Sequence, residues 1–494
     1  MDYDVIVVGT GNAAHAAAVS SRRAGAERVL MLEKSSQELR GGNTHYSGGL
    51  FRFAFNSTED LVPLVPNVED DFPGFLANVS PYPTEAFRDD LLRVTEGRTD
   101  PVLSEILIGQ SLDTAGWLHE QGIELEASAS LSAIQVDGEW KWPSGAVIRA
   151  AGEGVGLSLM WFAAAAELGI EVRYNTGARG LLQDDHGRIT GLAVRGPDGL
   201  SEISAAAVVL ACGGFEANPE WRARYLNRPW DTAKVRGTRY NTGDGLRMAL
   251  DAGALPHGQW SGSHGTPIDA DAPDFGDREL TDKTNRLSYP FGVTLNARGE
   301  RFIDEGEDFQ LYTYAKTGGA LLSQPGGVAY QIFDGKVLDL LEPRYATGSP
   351  IVAETLDDLL AQLPLDSERA AATLAQFNAS GNPSGNRGNF DPVVLDGLAT
   401  DGLEIEKTNW AQALDTPPFR AYPVTGGITF TFGGVRVTPD AQVIGVDWQP
   451  IEGLFACGEM VGGLFYGNYP GGSGLMSGAV FGRIAGRSAA GRSA

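Results

Sequence analysis

A chain of 494 residues is long enough for two or three domains with well-buried cores, and 42% hydrophobic against 20% charged residues is the balance of a soluble globular protein. A net charge of −25 argues against nucleic acid, which needs clustered Lys and Arg to neutralise phosphates, and no run approaches the ~20 apolar residues of a membrane span. Two cysteines, Cys212 and Cys457, do not make a disulfide framework, and a first strand beginning just after Met1 leaves no room for a leader, so a cytoplasmic location is expected.

Asp4 to Val8 is a short apolar run bounded by glycine, which reads as a buried strand. Gly9-Thr10-Gly11-Asn12-Ala13-Ala14 then opens an alanine-rich helix, and Val29 to Leu32 forms a second strand ending at Glu33 and Lys34. Gly9 permits the tight turn, Gly11 lets backbone approach a pyrophosphate, and Ala14 allows close helix–strand packing. Glu33 is placed for a ribose diol, so the whole unit reads as a site for an adenine dinucleotide.

The loop Arg40-Gly41-Gly42-Asn43-Thr44-His45-Tyr46-Ser47-Gly48-Gly49-Leu50 offers many free backbone N–H groups against which a flat, polar-edged ring could rest. Residues 56–83 lack any period and read as a surface excursion. Helical spacing follows at 84–93 and 101–121, a hairpin around Trp140–Trp142, and a helix opened by Gly152-Glu153-Gly154. After two hairpin turns near Gly187 and Gly199, the run 206–215 is a second buried strand ending at Ala211, Cys212, Gly213 and Gly214. Thr242-Gly243-Asp244-Gly245 starts another helix. From 261 to 418 the texture shifts to Pro, Asp, short strands and amphipathic helices, with a polar loop at 378–389, as in a domain inserted into the nucleotide-binding one. The first domain then resumes through Cys457-Gly458-Glu459 and Pro470-Gly471-Gly472-Ser473-Gly474, which leads into a small-residue helix from Leu475. A second helix N-terminus suits a ring that gains negative charge on reduction, such as flavin.

These segments, with Arg236 to Gly245 (which contains Arg239 and Asn241), Tyr312 to Lys316 and Gly462 to Leu475, resemble the fumarate reductase/succinate dehydrogenase flavoprotein family, and within it the FAD-dependent tricarballylate dehydrogenase-like proteins. The resemblance implies an α/β fold: a Rossmann-like FAD-binding domain in two pieces, 1–260 and 419–494, with an α+β clamp at 261–418. It implies hydride transfer between a substrate carbon and flavin, hence desaturation next to a carboxylate or carbonyl of a small acid or ketone. The alternatives are the reverse ene-reduction, or a flavin-binding protein without dehydrogenase activity. No haem or iron–sulfur cysteine set is present, so electrons would pass to a separate acceptor or to oxygen. The family's covalent flavin histidine corresponds to Asn43, so dissociable FAD is expected.

Three positions depart from the family pattern. Gln310 stands where an arginine is usual, Phe430 replaces a substrate-binding histidine, and Tyr469 replaces an arginine before Gly471-Gly472. His264 resembles the other substrate-binding histidine. The implied site is poorer in cations and richer in phenols, and the candidate catalytic set is Tyr469, His264, Tyr312, Gln310 and Arg239. Tyr312 and Tyr314, read as lying on a strand, are expected to face opposite ways, with at least one of them packing away from the site.

Overall fold

Strand β1 (Tyr3–Val8) keeps Val5, Ile6 and Val7 fully buried, as a parallel strand covered on both faces requires. The computed structural model describes residues 1–143, 145–380 and 389–491. After β1 come α1 (Asn12–Arg23), β2 (Val29–Leu32), β3 (Glu171–Arg173), β4 (Gly199–Leu210), α2 (Asp244–Asp251) and β5 (Pro256–Asp269). The chain continues through α3 (Gln310–Leu322), β6 (Val328–Phe333), β7 (Phe419–Val435), β8 (Pro450–Ala456) and α4 (Ser473–Ala490).

In the first sheet β8, β4, β1, β2 and β3 lie side by side, and their mutual pairings are parallel. Val8 stands opposite both Leu32 and Leu210, and Leu210 opposite Ala456. Four strands therefore end level, and the turns that follow them open on one edge of the sheet, the place where doubly wound sheets bind ligands. Behind that edge α1 and α4 pack closely through small residues. A Cβ on Gly482 would lie 2.5 Å from the Ala13 carbonyl oxygen, and one on Gly486 would lie 2.1 Å from that of Ala17. The Asn12 Nδ2 group donates to the Leu475 carbonyl at 2.8 Å, which sets the two helix N-termini side by side.

The second sheet is built around β7, which pairs with β5, β6 and short strands at Lys234–Val235 and Ile351–Ala353. Its strands thus come from residues 234 to 435, on both sides of the 261–418 segment. One face carries the helices Leu356–Leu360 and Ser367–Ser380 over a core of Leu295, Ile332, Leu374 and Phe377. Against β5 and β7 lies α3, at backbone contact: a Cβ on Gly318 would sit 2.2 Å from the Thr266 nitrogen.

The segment carrying Tyr312 and Tyr314 is a helix, not a strand; the pair does face opposite ways, but because two positions are about 200° apart on a helix, whereas on a strand residues two apart share a face. Trp142 is buried on Phe75 beneath the Ile134–Val136/Glu139–Lys141 hairpin, as core packing. Of the expected loop at 378–389, residues 378–380 close a helix, and 381–388 lie outside the described residues.

Candidate active site

The level strand ends enclose one end of a cleft of about 1570 Å³, open mouth included. Here backbone dominates. Gly9 holds φ +113°, a conformation open to glycine, and a Cβ there would lie 2.4 Å from the Ala211 carbonyl oxygen. The Asn12 N–H donates to Thr44 Oγ1 at 2.8 Å, which clips the glycine-rich loop to α1. Glu33, buried at the end of β2, accepts from the Ser35 N–H at 2.8 Å and from the Thr10 hydroxyl. Lys34 Nζ donates to Thr242 Oγ1 at 2.8 Å and to Asp244 at 2.7 Å.

Midway along the cleft two carboxyls meet. Glu216 accepts from Asn43 Nδ2 at 2.7 Å and Asn241 Nδ2 at 2.6 Å, while Glu459 accepts the Thr431 N–H at 2.6 Å. Burial pushes both carboxyls up, and the charge of Glu459 pushes Glu216 further, so the pair favours sharing a proton over carrying two charges. Asn43 is fully engaged: it also donates to the Thr429 carbonyl at 2.7 Å and accepts the Thr238 N–H at 2.8 Å.

The inner end is made of side chains. Tyr469, in the loop before α4, shares a short hydroxyl–hydroxyl hydrogen bond with Tyr314 on α3. His264 on β5 stands opposite Phe430 on β7, stacks on it at 5.2 Å, and meets the rings of Tyr314 at 4.7 Å and Tyr469 at 4.9 Å. It is fully buried, and neither ring nitrogen has a hydrogen-bond partner among the described residues, a condition that costs about 1–3 kcal/mol until something fills it. Burial, reinforced by the Arg236 charge, holds the imidazole well below its usual range and therefore neutral. Burial likewise raises both phenols, Tyr469 to about 12. Phe430, Phe432, Phe465, Leu464 and Val461 complete an apolar wall.

Of the expected cofactor residues, all but Gly41, Gly42, Gly48, Gly49 and Gly214 line the cleft. Those five lie in the layer behind it; Gly41 packs over Ser158 and Gly49 over the Glu153 backbone. Among the candidate catalytic residues Tyr469 lines the cleft, and His264 sits directly behind it. Tyr312 points elsewhere: its hydroxyl donates to Asp90 at 2.7 Å and accepts from Arg52 at 3.0 Å, because on a helix it lies about 200° around the axis from Tyr314. Gln310 is half-buried in the first turn of α3, one turn before Tyr314. Arg239 is exposed and lies over the Phe275 ring at 5.3 Å, outside the cleft lining. The arginine that does line the cleft is Arg236, the first residue of the same segment. Tyr314, Arg236 and Glu216 were absent from the candidate set. A helical reading of 310–322 would have found Tyr314; nothing local marks the other two.

A family model described as FAD binding domain matches residues 4–475. The chain belongs to that family. It is 31% identical over 501 residues to a probable fumarate reductase, Ifc3, of Shewanella frigidimarina (strain NCIMB 400), covering 98% of this chain and 74% of that one. Its fold matches the open conformation of a flavocytochrome c3 fumarate reductase with a TM-score of 0.71 at 26% identity, over 99% of this chain and 78% of the other. A likeness of fold alone, TM-score 0.74 at 20% identity over 99% of each chain, extends to 3-ketosteroid delta1-dehydrogenase from Sterolibacterium denitrificans in complex with 1,4-androstadiene-3,17-dione. The protein is an FAD-dependent oxidoreductase acting on CH–CH groups. Its residues fit that cofactor: a carboxylate at the end of β2, bare backbone at Gly11 and Gly474 where a Cβ would meet nothing closer than 3.4 Å, and two adjacent helix N-termini. Among the described residues no helix is long and apolar enough to cross a membrane.

Proposed function

We propose that the enzyme desaturates the C–C bond next to the carbonyl or carboxylate of a small organic molecule, with Tyr469 holding that group's oxygen. The observation that carries this reading is the Tyr314–Tyr469 hydroxyl pair at the apolar end of the cleft, beside a neutral His264 with two unpartnered nitrogens. Desaturation removes hydrogens from adjacent carbons, one as hydride with its electron pair and one as a proton, which leaves to water through the open mouth of the cleft. Bound FAD supplies the two-electron acceptor. Tyr469 donates its O–H to the substrate oxygen and so lowers the pKa of the α-proton, Tyr314 orients that hydroxyl, and His264, fully buried behind the cleft wall, packs against both phenol rings and holds them in place. The apolar wall excludes water from the reacting carbons.

The reverse ene-reduction has one observation in its favour: a phenol raised to about 12 is held protonated at neutral pH, the state a proton donor must be in. Direction is set by the electron partner, a separate carrier or oxygen. Residues 1–260 and 419–494 hold the cofactor and 261–418 contribute the cap. FAD binds without a covalent bond, since Asn43 is no nucleophile and burial keeps the lining thiols Cys212 and Cys457 protonated. Two free thiols, Cys212 half-buried and Cys457 buried, suit a reducing, cytoplasmic setting. Anaerobic mixing of the holoenzyme with saturated acids and ketones tests the reading: bleaching of the flavin that is slowed by Tyr469→Phe, with FAD still bound, supports it. An unchanged rate removes Tyr469 from the chemistry.

A further inference from the structure

The cations that face the cleft are matched before any substrate arrives. Its lining cations are Lys34 and Arg236. Lys34 is bound by Asp244 at the nucleotide end. At the inner end Arg236 donates from Nη1 to Asp282 and from Nε to Thr429 Oγ1 at 3.0 Å. Asp282 is 5% exposed, and its second oxygen lies 3.0 Å from Arg344 Nη1. Asn285 Nδ2 also donates to Asp282 at 2.7 Å. Arg344 faces Asp282 and, at 3.7 Å, Glu342, and it does not line the cleft. The next arginine, Arg286, is tied to Asp269 at 2.6 Å. The lining meanwhile holds the carboxyls of Glu33, Asp244 and Glu459, and His264 is neutral.

A substrate carboxylate placed here would meet a guanidinium that already has a buried anion at its other face. Asp282, which Arg236 shares with Arg344, cancels part of the Arg236 attraction for such a group, and in a poorly hydrated pocket a carboxylate so weakly matched loses its water without full compensation. An uncharged oxygen has no such penalty. It needs only donors, and Tyr469 supplies one, while Phe430, Phe465 and Leu464 cover an apolar body.

We infer that the substrate is an uncharged ketone with an apolar ring or chain, or the matching enone in the reverse direction, and not a di- or tricarboxylate. This rests on the proposed desaturation reading. The first test uses wild-type holoenzyme without air, mixed in turn with cyclic ketones of increasing size, with succinate and with tricarballylate, following flavin absorbance. The expected result is bleaching by a ketone at least about tenfold faster than by either acid; bleaching by an acid at a comparable rate overturns the inference. If nothing bleaches, dithionite-reduced enzyme is offered enones and fumarate. Reoxidation by enones supports the inference, and reoxidation by fumarate alone overturns the substrate class while leaving the oxidoreductase chemistry intact. Reoxidation by neither removes the desaturation reading, and the substrate class falls with it. A second test frees the Arg236 charge by Asp282→Asn. Titrated through the shift in the flavin spectrum, at FAD content equal to wild type, the ratio of fumarate affinity to cyclohexenone affinity should rise about tenfold. An unchanged ratio overturns the role given to the Arg236–Asp282 pair.

Discussion

The two ends of the cleft are made from different materials. At the nucleotide end the walls are main chain: turns after four level strands, a left-handed glycine and two helix N-termini. At the inner end they are side chains carried by β5, α3, β7 and the loop before α4. The first end depends on where backbone can go, the second on which rings and hydroxyls four distant segments bring together. Damage to the two should therefore separate cleanly into loss of the cofactor and loss of chemistry.

The largest effect is expected at the nucleotide end. In Gly9→Ala the new methyl would press on the Ala211 main chain at 2.4 Å, at φ +113°, where L-residues are strained. Neither partner is a flexible side-chain end, so relief requires β1 and β4 to part. Purified Gly9→Ala should carry less than about a tenth of the wild-type flavin, with a loss of at least ~2 kcal/mol in folding stability. A variant that retains full FAD would show that the turn does not set the approach of the pyrophosphate.

At the other end Tyr469→Phe should retain FAD and slow flavin reduction about 100-fold, the usual scale for losing one hydrogen-bond donor aimed at developing charge. The two variants together break or uphold the division: if Tyr469→Phe also emptied the site, the ends would not be separable.

That division also explains what could be read from the sequence. Gly9, Gly11, Glu33 and Asp244 lie within short local patterns, and each pattern dictates its own backbone path, so the nucleotide end was legible from residue order. The inner end was legible only in part. Tyr469 and His264 stood out by resemblance, but Arg236 matters because Asp282, 46 positions away, meets it, and Glu216 because Glu459 lies beside it. Such pairings follow from sheet register and helix packing, which no local window contains. The choice between Tyr312 and Tyr314 has a simpler origin: on a strand, residues two apart share a face, and only the 3.6-residue period of α3 turns one phenol toward the cleft and the other away from it.

The acid–base state of the inner end sharpens the contrast further. Burial raises Tyr469 to about 12, so its hydroxyl remains protonated well above neutrality. A donor of this kind leaves the rate of flavin reduction flat between about pH 7 and pH 10, whereas a phenolate base would make it climb about tenfold per pH unit over the same range. Stopped-flow reduction across that interval separates the two: a flat profile is expected, and a unit slope would turn Tyr469 from a polarising donor into the proton acceptor.

The smallest effect belongs to Tyr312→Phe. Its hydroxyl joins Asp90 to Arg52, and Arg52 keeps a 3.0 Å bond to the Tyr82 hydroxyl and a 2.8 Å bond to the Gly471 carbonyl without it. Loss of a buried hydrogen bond to charged partners should lower stability by about 1–3 kcal/mol while the rate of flavin reduction stays within about twofold of wild type. Tyr314→Phe, two positions along the same helix, should slow reduction about tenfold at a similar cost in stability, because its hydroxyl partner is Tyr469 itself. The two phenols differ in sequence position by less than one helical turn and in surroundings by a half-turn of the axis. Equal slowing by both would place the Arg52 network in the reaction and dissolve the boundary between the inner end and the scaffold behind it.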